Sequence, residues 1–150
     1  MTRRRIRLWA FALVALLIGA AILKSPGRPS CEAISGDSTV SIALARLSPG
    51  TVRFFCYDGE AGARMRFLLA RDLDGSVHSA FDACEQCYRY HKGYVCSGGE
   101  LICRVCGNRY SIKDMNTGKG SCVPARLDHQ VVGDKLVINV ADLKQGARLF

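Results

Sequence analysis

Two cysteine pairs of identical spacing carry the strongest chemical signal in this 150-residue sequence. Cys84 and Cys87 form the first CxxC unit, Cys103 and Cys106 form the second, and fifteen residues separate the units. A CxxC turn directs two sulfur atoms toward one point, so two facing turns supply a tetrahedral set of four thiolates. The pattern therefore predicts a four-cysteine metal site.

Residue types alone leave the metal open. Four thiolates suit Zn²⁺, a single iron or an iron–sulfur cluster, and Cu(I) also favours them. The competing interpretation is a disulfide within each CxxC unit. A c-type haem is excluded because Tyr88 and Gly107, not histidines, follow the two units. A thioredoxin-like enzyme is disfavoured because neither unit opens a helix in a predicted βαβ segment.

The chain has eight cysteines in all, so each must be assigned as a ligand or a disulfide partner. Cys122 has three possible roles: it replaces one ligand of the central set, lies just outside it, or pairs with Cys96. Cys31 and Cys56 flank the β-rich part and most simply form a disulfide. His91 follows Cys87 by four residues and is expected to be exposed instead of binding metal.

Alternating apolar residues predict a mainly β domain around these cysteines. Strands are predicted at 40–44, 51–57, 65–71 and 76–81 and in a hairpin over 130–140 that turns at Gly133-Asp134. Between them, 81–124 is rich in cysteine, glycine and tyrosine, and it is expected to form a zinc-knuckle or rubredoxin-like lobe with little core of its own. A hairpin at Ser97–Gly99 would bring the CxxC units together.

The N-terminus carries a membrane signal. Leu8 to Leu23 contains no charge, and as a helix its sixteen residues extend about 24 Å. Six of the 21 Lys and Arg residues precede Cys31, whereas the remainder nearly balance the 13 acidic residues. The net charge of +8 therefore comes mainly from residues that flank the apolar run. This distribution indicates the orientation of a membrane segment and argues against a nucleic-acid-binding surface.

Two interpretations of this run remain open. One is a single-pass anchor in the cytoplasmic membrane, and the other is a signal peptide cleaved near Gly19–Ala21. Both place the C-terminal part on the periplasmic or extracellular side. We divide the chain into an anchor (1–24), a linker (25–38) and a cysteine-rich domain (39–150).

The sequence from about Val40 to Phe150 resembles the FtrD-like family of membrane iron–sulfur proteins. The most specific shared residues are Phe81-Asp82-Ala83-Cys84 with Cys87, Lys92-Gly93-Tyr94, Cys103 and Cys106-Gly107. In place of the family's Gly-Gly-Cys-Asn-Pro, this chain has Gly120-Ser121-Cys122-Val123-Pro124.

The resemblance implies a β-rich domain that binds an iron–sulfur cluster or iron through Cys84, Cys87, Cys103 and Cys106, with Cys122 as a further cysteine. It implies electron transfer during ferrous-iron uptake, beside a ferrous-iron permease, a periplasmic iron-binding protein and a cupredoxin. No acid–base or nucleophile–base arrangement indicates an enzyme. The alternative is a non-redox module in which zinc staples a surface that docks a membrane partner.

Overall fold

The computed structural model describes residues 28–59, 62–118, 120 and 122–150. The predicted anchor or signal peptide (1–24) lies outside these residues. Within the described part of the chain, no helix is long and apolar enough to cross a membrane.

The described residues are mainly β, as predicted, and their strands are short. The strands are β1 Glu32–Ile34, β2 Thr39–Ala43, β3 Thr51–Asp58, β4 Arg64–Arg71, β5 Val77–Phe81, β6 Tyr94–Ser97, β7 Glu100–Cys103, β8 Arg109–Ser111, β9 Gln130–Val132 and β10 Lys135–Asn139. The helix α1 spans Val140–Gln145, and 3₁₀ turns occupy Leu44–Arg46, Tyr88–Tyr90 and Gly146–Leu149.

The strands form three sheets. A central four-stranded sheet has the order β1-β3-β4-β5, in which β1 runs parallel to β3 and the other neighbours are antiparallel. A second, antiparallel sheet has the order β2-β10-β9. The third, β6-β7-β8, contains the cysteine-rich segment and is also antiparallel.

The central sheet is covered on both faces. Successive side chains of a strand point to opposite faces, and in β4 Phe67 and Leu69 join one core while Leu68 and Ala70 join another. The first core includes Leu136 of the β2-β10-β9 sheet. The second includes the cysteines and tyrosines of the third sheet. The cysteine-rich segment, which was expected to have little core of its own, shares this second core with Leu68, Ala70 and Ala80 of the central sheet.

The folded region begins earlier than the predicted boundary. Strand β1 lies inside the predicted linker, 25–38, and pairs in parallel with β3, so that Ala33 lies opposite Cys56. The predicted disulfide between Cys31 and Cys56 is confirmed, with their Cα atoms 5.5 Å apart. This bond fixes the start of the domain to the middle of β3.

Candidate metal centre

The cysteines come from three segments that meet in the second core, against one face of the central sheet. Cys84 and Cys87 lie just after β5, and Cys103 ends β7. Gly98 and Gly99 form the two-residue turn between β6 and β7, as predicted, which sets Cys103 opposite Tyr94. Cys122 comes from the long connection between β8 and β9.

Four sulfur atoms lie together in this region. The Sγ atoms of Cys84, Cys87, Cys103 and Cys122 are all within 4.8 Å of one another, and those of Cys87 and Cys122 are 3.2 Å apart. Cys84, Cys103 and Cys122 are buried. Metal–sulfur bonds of about 2.3 Å put the sulfurs of a tetrahedral site about 3.8 Å apart. The observed grouping therefore has the size of a metal site.

Cys106 lies at the solvent edge of the same group. Its side chain is exposed. Desolvation opposes ionisation of its thiol, but hydrogen bonds with Cys122, the Asn108 backbone, Cys103 and Cys87 outweigh that effect and lower its pKa. The structure thus brings all five predicted cysteines together, with Cys122 inside the compact set and Cys106 at its margin.

The inner thiols hold their protons firmly. Desolvation is the main reason why the pKa of Cys87 rises to about 11, and burial also raises the pKa of Cys122. Because a metal binds the thiolate, loading this site must release protons.

Backbone and tyrosine groups surround the sulfurs. The Cys87 amide donates to the Cys84 sulfur at 3.2 Å, as expected for a CxxC turn. The Tyr94 hydroxyl donates to the Cys122 carbonyl oxygen at 2.6 Å, and Tyr94 is only 1% exposed. Burial raises the Tyr94 pKa, so the hydroxyl stays neutral. Tyr94 thereby ties the Cys122 segment to β6.

Asp82 links the first CxxC unit to other parts of the domain. Its fully buried carboxylate binds groups from three other segments. Oδ1 accepts the Tyr94 amide at 2.7 Å. Oδ2 accepts Arg28 Nε at 3.0 Å and Arg66 Nε at 3.1 Å. Arg66 also donates to the sulfur of Cys31, so the network runs from the disulfide to the metal lobe.

Gly93 makes this network possible. Its φ is +62°, and a Cβ built on it would lie 2.4 Å from Asp82 Oδ1. A side chain would collide with a buried carboxylate, so the Lys92-Gly93-Tyr94 sequence is explained by the need to approach Asp82 closely. Sequence reasoning missed this network; the signal was Arg66, a charged residue between the apolar Met65 and Phe67.

Two other candidates lie outside the compact set. Cys96 is free and half-buried, and it does not pair with Cys122. His91 is exposed, as expected, and is not one of the clustered residues.

Fold and site together define a small β-rich protein with a largely buried cluster of cysteine thiols suited to a metal. The chain belongs to the FtrD-like family: residues 47–150, more than half of the sequence, match the family described as membrane iron-sulfur containing protein FtrD-like. The sequence resemblance is therefore confirmed. A comparison with curated proteins gives no significant match.

Two solved structures show a distant likeness. One is described as the small subunit of an NADPH nitrite reductase and is 14% identical to this chain, with a TM-score of 0.42. The match covers 67% of this chain and 96% of that structure's chain. The other comes from Mycobacterium tuberculosis and is described as the small subunit of an NADH-dependent nitrite reductase. It is 17% identical to this chain, the match covers 69% of this chain and 96% of that structure's chain, and the TM-score is 0.38. These scores are too low to assign a shared function.

Proposed function

We propose that this protein is an electron carrier anchored at the outer face of the cytoplasmic membrane, with iron bound by cysteine thiolates as its redox centre. The observation that carries the proposal is the set of four Sγ atoms within 4.8 Å of one another. The family description, a membrane protein containing iron and sulfur, agrees with such a centre.

The donor set fits the proposed group chemically. Cys84, Cys87 and Cys103 would hold it together with Cys122, and Cys106 lies within reach as an alternative ligand. When bound, iron or an iron–sulfur cluster supplies reversible electron uptake. The Cys87 amide stabilises negative charge on the Cys84 sulfur, and burial of three of the cysteines raises the energetic effect of that hydrogen bond.

The surroundings favour a carrier over a catalyst. The cavity that reaches Cys84, Cys87 and Cys103 has a volume of about 10 Å³, room for roughly one water molecule. An organic substrate has no space there. Electrons need no such space, and the exposed Cys106 brings the centre to the protein surface.

The partners we propose are those that the sequence resemblance implies. They are a ferrous-iron permease in the same membrane, a periplasmic iron-binding protein and a cupredoxin. In this arrangement the centre accepts or delivers the electron that accompanies oxidation of ferrous iron during uptake.

A second candidate function has one observation in its favour. Sulfur atoms this close together suit a single tetrahedral ion, and zinc is the usual structural ion of such sites. In that case the metal would stabilise the third sheet, and the protein surface next to the metal would bind a membrane partner without redox chemistry.

Anaerobic purification of the full chain separates the two candidates. We expect iron on metal analysis, visible absorption from thiolate-to-iron charge transfer, and reversible bleaching in a redox titration. Stoichiometric zinc in a colourless protein would contradict the electron-carrier proposal and support the zinc-stapled module.

A further inference from the structure

The chain enters the described domain beside the metal centre. Arg28 binds buried Asp82 and lies 5.8 Å from the centre of the Phe150 ring. Together with Cys84 and Cys103 it lines the same small cavity. The apolar run and its flanking Lys24 end four residues earlier. Four extended residues span at most about 14 Å, so an anchor ending at Lys24 holds the metal centre close to the bilayer.

The surface around the cysteines has the composition of a membrane interface. We define the metal rim as the residues Arg89, Tyr90, His91, Lys92, Arg104 and Val105, of which Arg104 is half-buried and the others are exposed. The first four follow Tyr88, the residue after Cys87, and the last two lie between Cys103 and Cys106. The Arg104 amide donates to the Gly93 carbonyl oxygen at 3.0 Å, which joins the two halves of the rim.

Charge and exposure on the metal rim point to lipid headgroups. Tyr90 is 59% exposed and Val105 is 39% exposed, so apolar surface lies among three basic side chains. Neither Arg89 nor Lys92 forms an ion pair within the described part of the chain. Tyrosine suits the headgroup region, and lysine and arginine there attract anionic lipids.

We propose that the metal rim rests on the anionic phospholipid surface of the membrane that holds the anchor, so that the cysteines face the bilayer. This rests on the anchored topology of the proposed function and adds an orientation to it. Lipid is favoured over a protein partner because the four-residue connection keeps the rim near the bilayer whether or not a partner is present.

The opposite side of the domain provides a matched control. Val132 on β9 is 59% exposed, the same fraction as Tyr90. Its sheet packs on the first core, across the central sheet from the cysteines. In the proposed orientation Val132 points away from the membrane.

Tryptophan quenching in vesicles tests the orientation. The full chain with Trp9→Phe, which removes its single tryptophan, receives either Tyr90→Trp or Val132→Trp. Each variant is reconstituted into phosphatidylcholine vesicles containing phosphatidylglycerol and a lipid with a nitroxide headgroup. We expect quenching of the tryptophan at position 90 and little quenching at position 132.

Two further measurements make the result specific. Adding Arg89→Glu and Lys92→Glu, or raising the salt concentration, should reduce quenching at position 90, because both weaken attraction to anionic headgroups. Equal quenching at the two positions, or none at position 90, overturns the proposal, and the latter favours a protein as occupant of the rim. Metal analysis of the same vesicles reports separately on the electron-carrier function.

Discussion

Replacing Asp82 tests how firmly the metal lobe is attached to the rest of the domain. Its carboxylate is fully buried and binds two guanidinium groups and one amide. Breaking a buried ion pair costs about 3–5 kcal/mol. The Arg28 and Arg66 side chains are 21% and 13% exposed, so water can partly solvate the two guanidinium groups once the carboxylate is removed. We therefore take the lower value, about 3 kcal/mol, for the lost charge.

The Tyr94 amide adds a second contribution. In Asp82→Ala this buried donor loses its acceptor, which costs about 1–3 kcal/mol more. The free energy of unfolding should thus fall by about 4–6 kcal/mol in Asp82→Ala and by about 3 kcal/mol in Asp82→Asn, which keeps an acceptor for Tyr94. The free energy of unfolding of a typical domain is about 5–15 kcal/mol, so the Asp82→Ala protein should be only marginally folded.

Urea unfolding followed by circular dichroism, at equal metal content, measures these changes. Asp58→Asn is the matched control, because Asp58 pairs with Arg64 on the exposed surface of the same sheet and should contribute little. Loss of stability no larger in Asp82→Ala than in this control would refute the reasoning. Gly93→Ala should disturb the same carboxylate from the other side and destabilise more than Gly98→Ala, which has similar φ but open space around it.

Three further outcomes are expected. Cys122→Ser should lower metal content more than Cys106→Ser, as measured by metal analysis; the reverse order would restore the two CxxC units as the complete ligand set. Replacing Cys31 and Cys56 by serine should keep the metal and reduce stability by about 3.5 kcal/mol for a loop of 25 residues; metal loss with the fold intact would contradict this. Burial raises the pKa of Cys87 from 9.0 to about 11, so the free energy of unfolding of the metal-free protein should fall as pH rises through that interval. Metal affinity should increase over the same interval, because the metal binds the thiolate. A free energy of unfolding that does not change with pH there would contradict the predicted loss of stability.

Local patterns in the sequence predicted most elements of this fold. Alternation identified β2 to β5 and the β9–β10 hairpin, and paired glycines identified the β6–β7 turn. The CxxC spacing predicted that Cys84, Cys87 and Cys103 lie together, because a CxxC unit determines its own geometry. These features depend on neighbouring residues, which a sequence displays directly.

The remaining features depend on contacts between distant segments. Strand β1 is three residues long and forms because of its disulfide and its pairing with β3. The second core needs Leu68 and Ala70 on the other face of β4, and the partners of that face come from a distant segment. Asp82 finds partners 54 and 16 residues away. The preference for Cys122 over Cys106 arises from loop paths that spacing does not encode.

The Cys31–Cys56 disulfide also bears on biosynthesis. Cys84 follows Cys56 by 28 residues, and at about 5–20 residues per second it emerges about 1–6 s later. During that interval Cys31 and Cys56 have no competing thiol in their own chain. The order of the cysteines thus gives Cys31 and Cys56 a period in which each can pair only with the other, before the metal-binding thiols are synthesised.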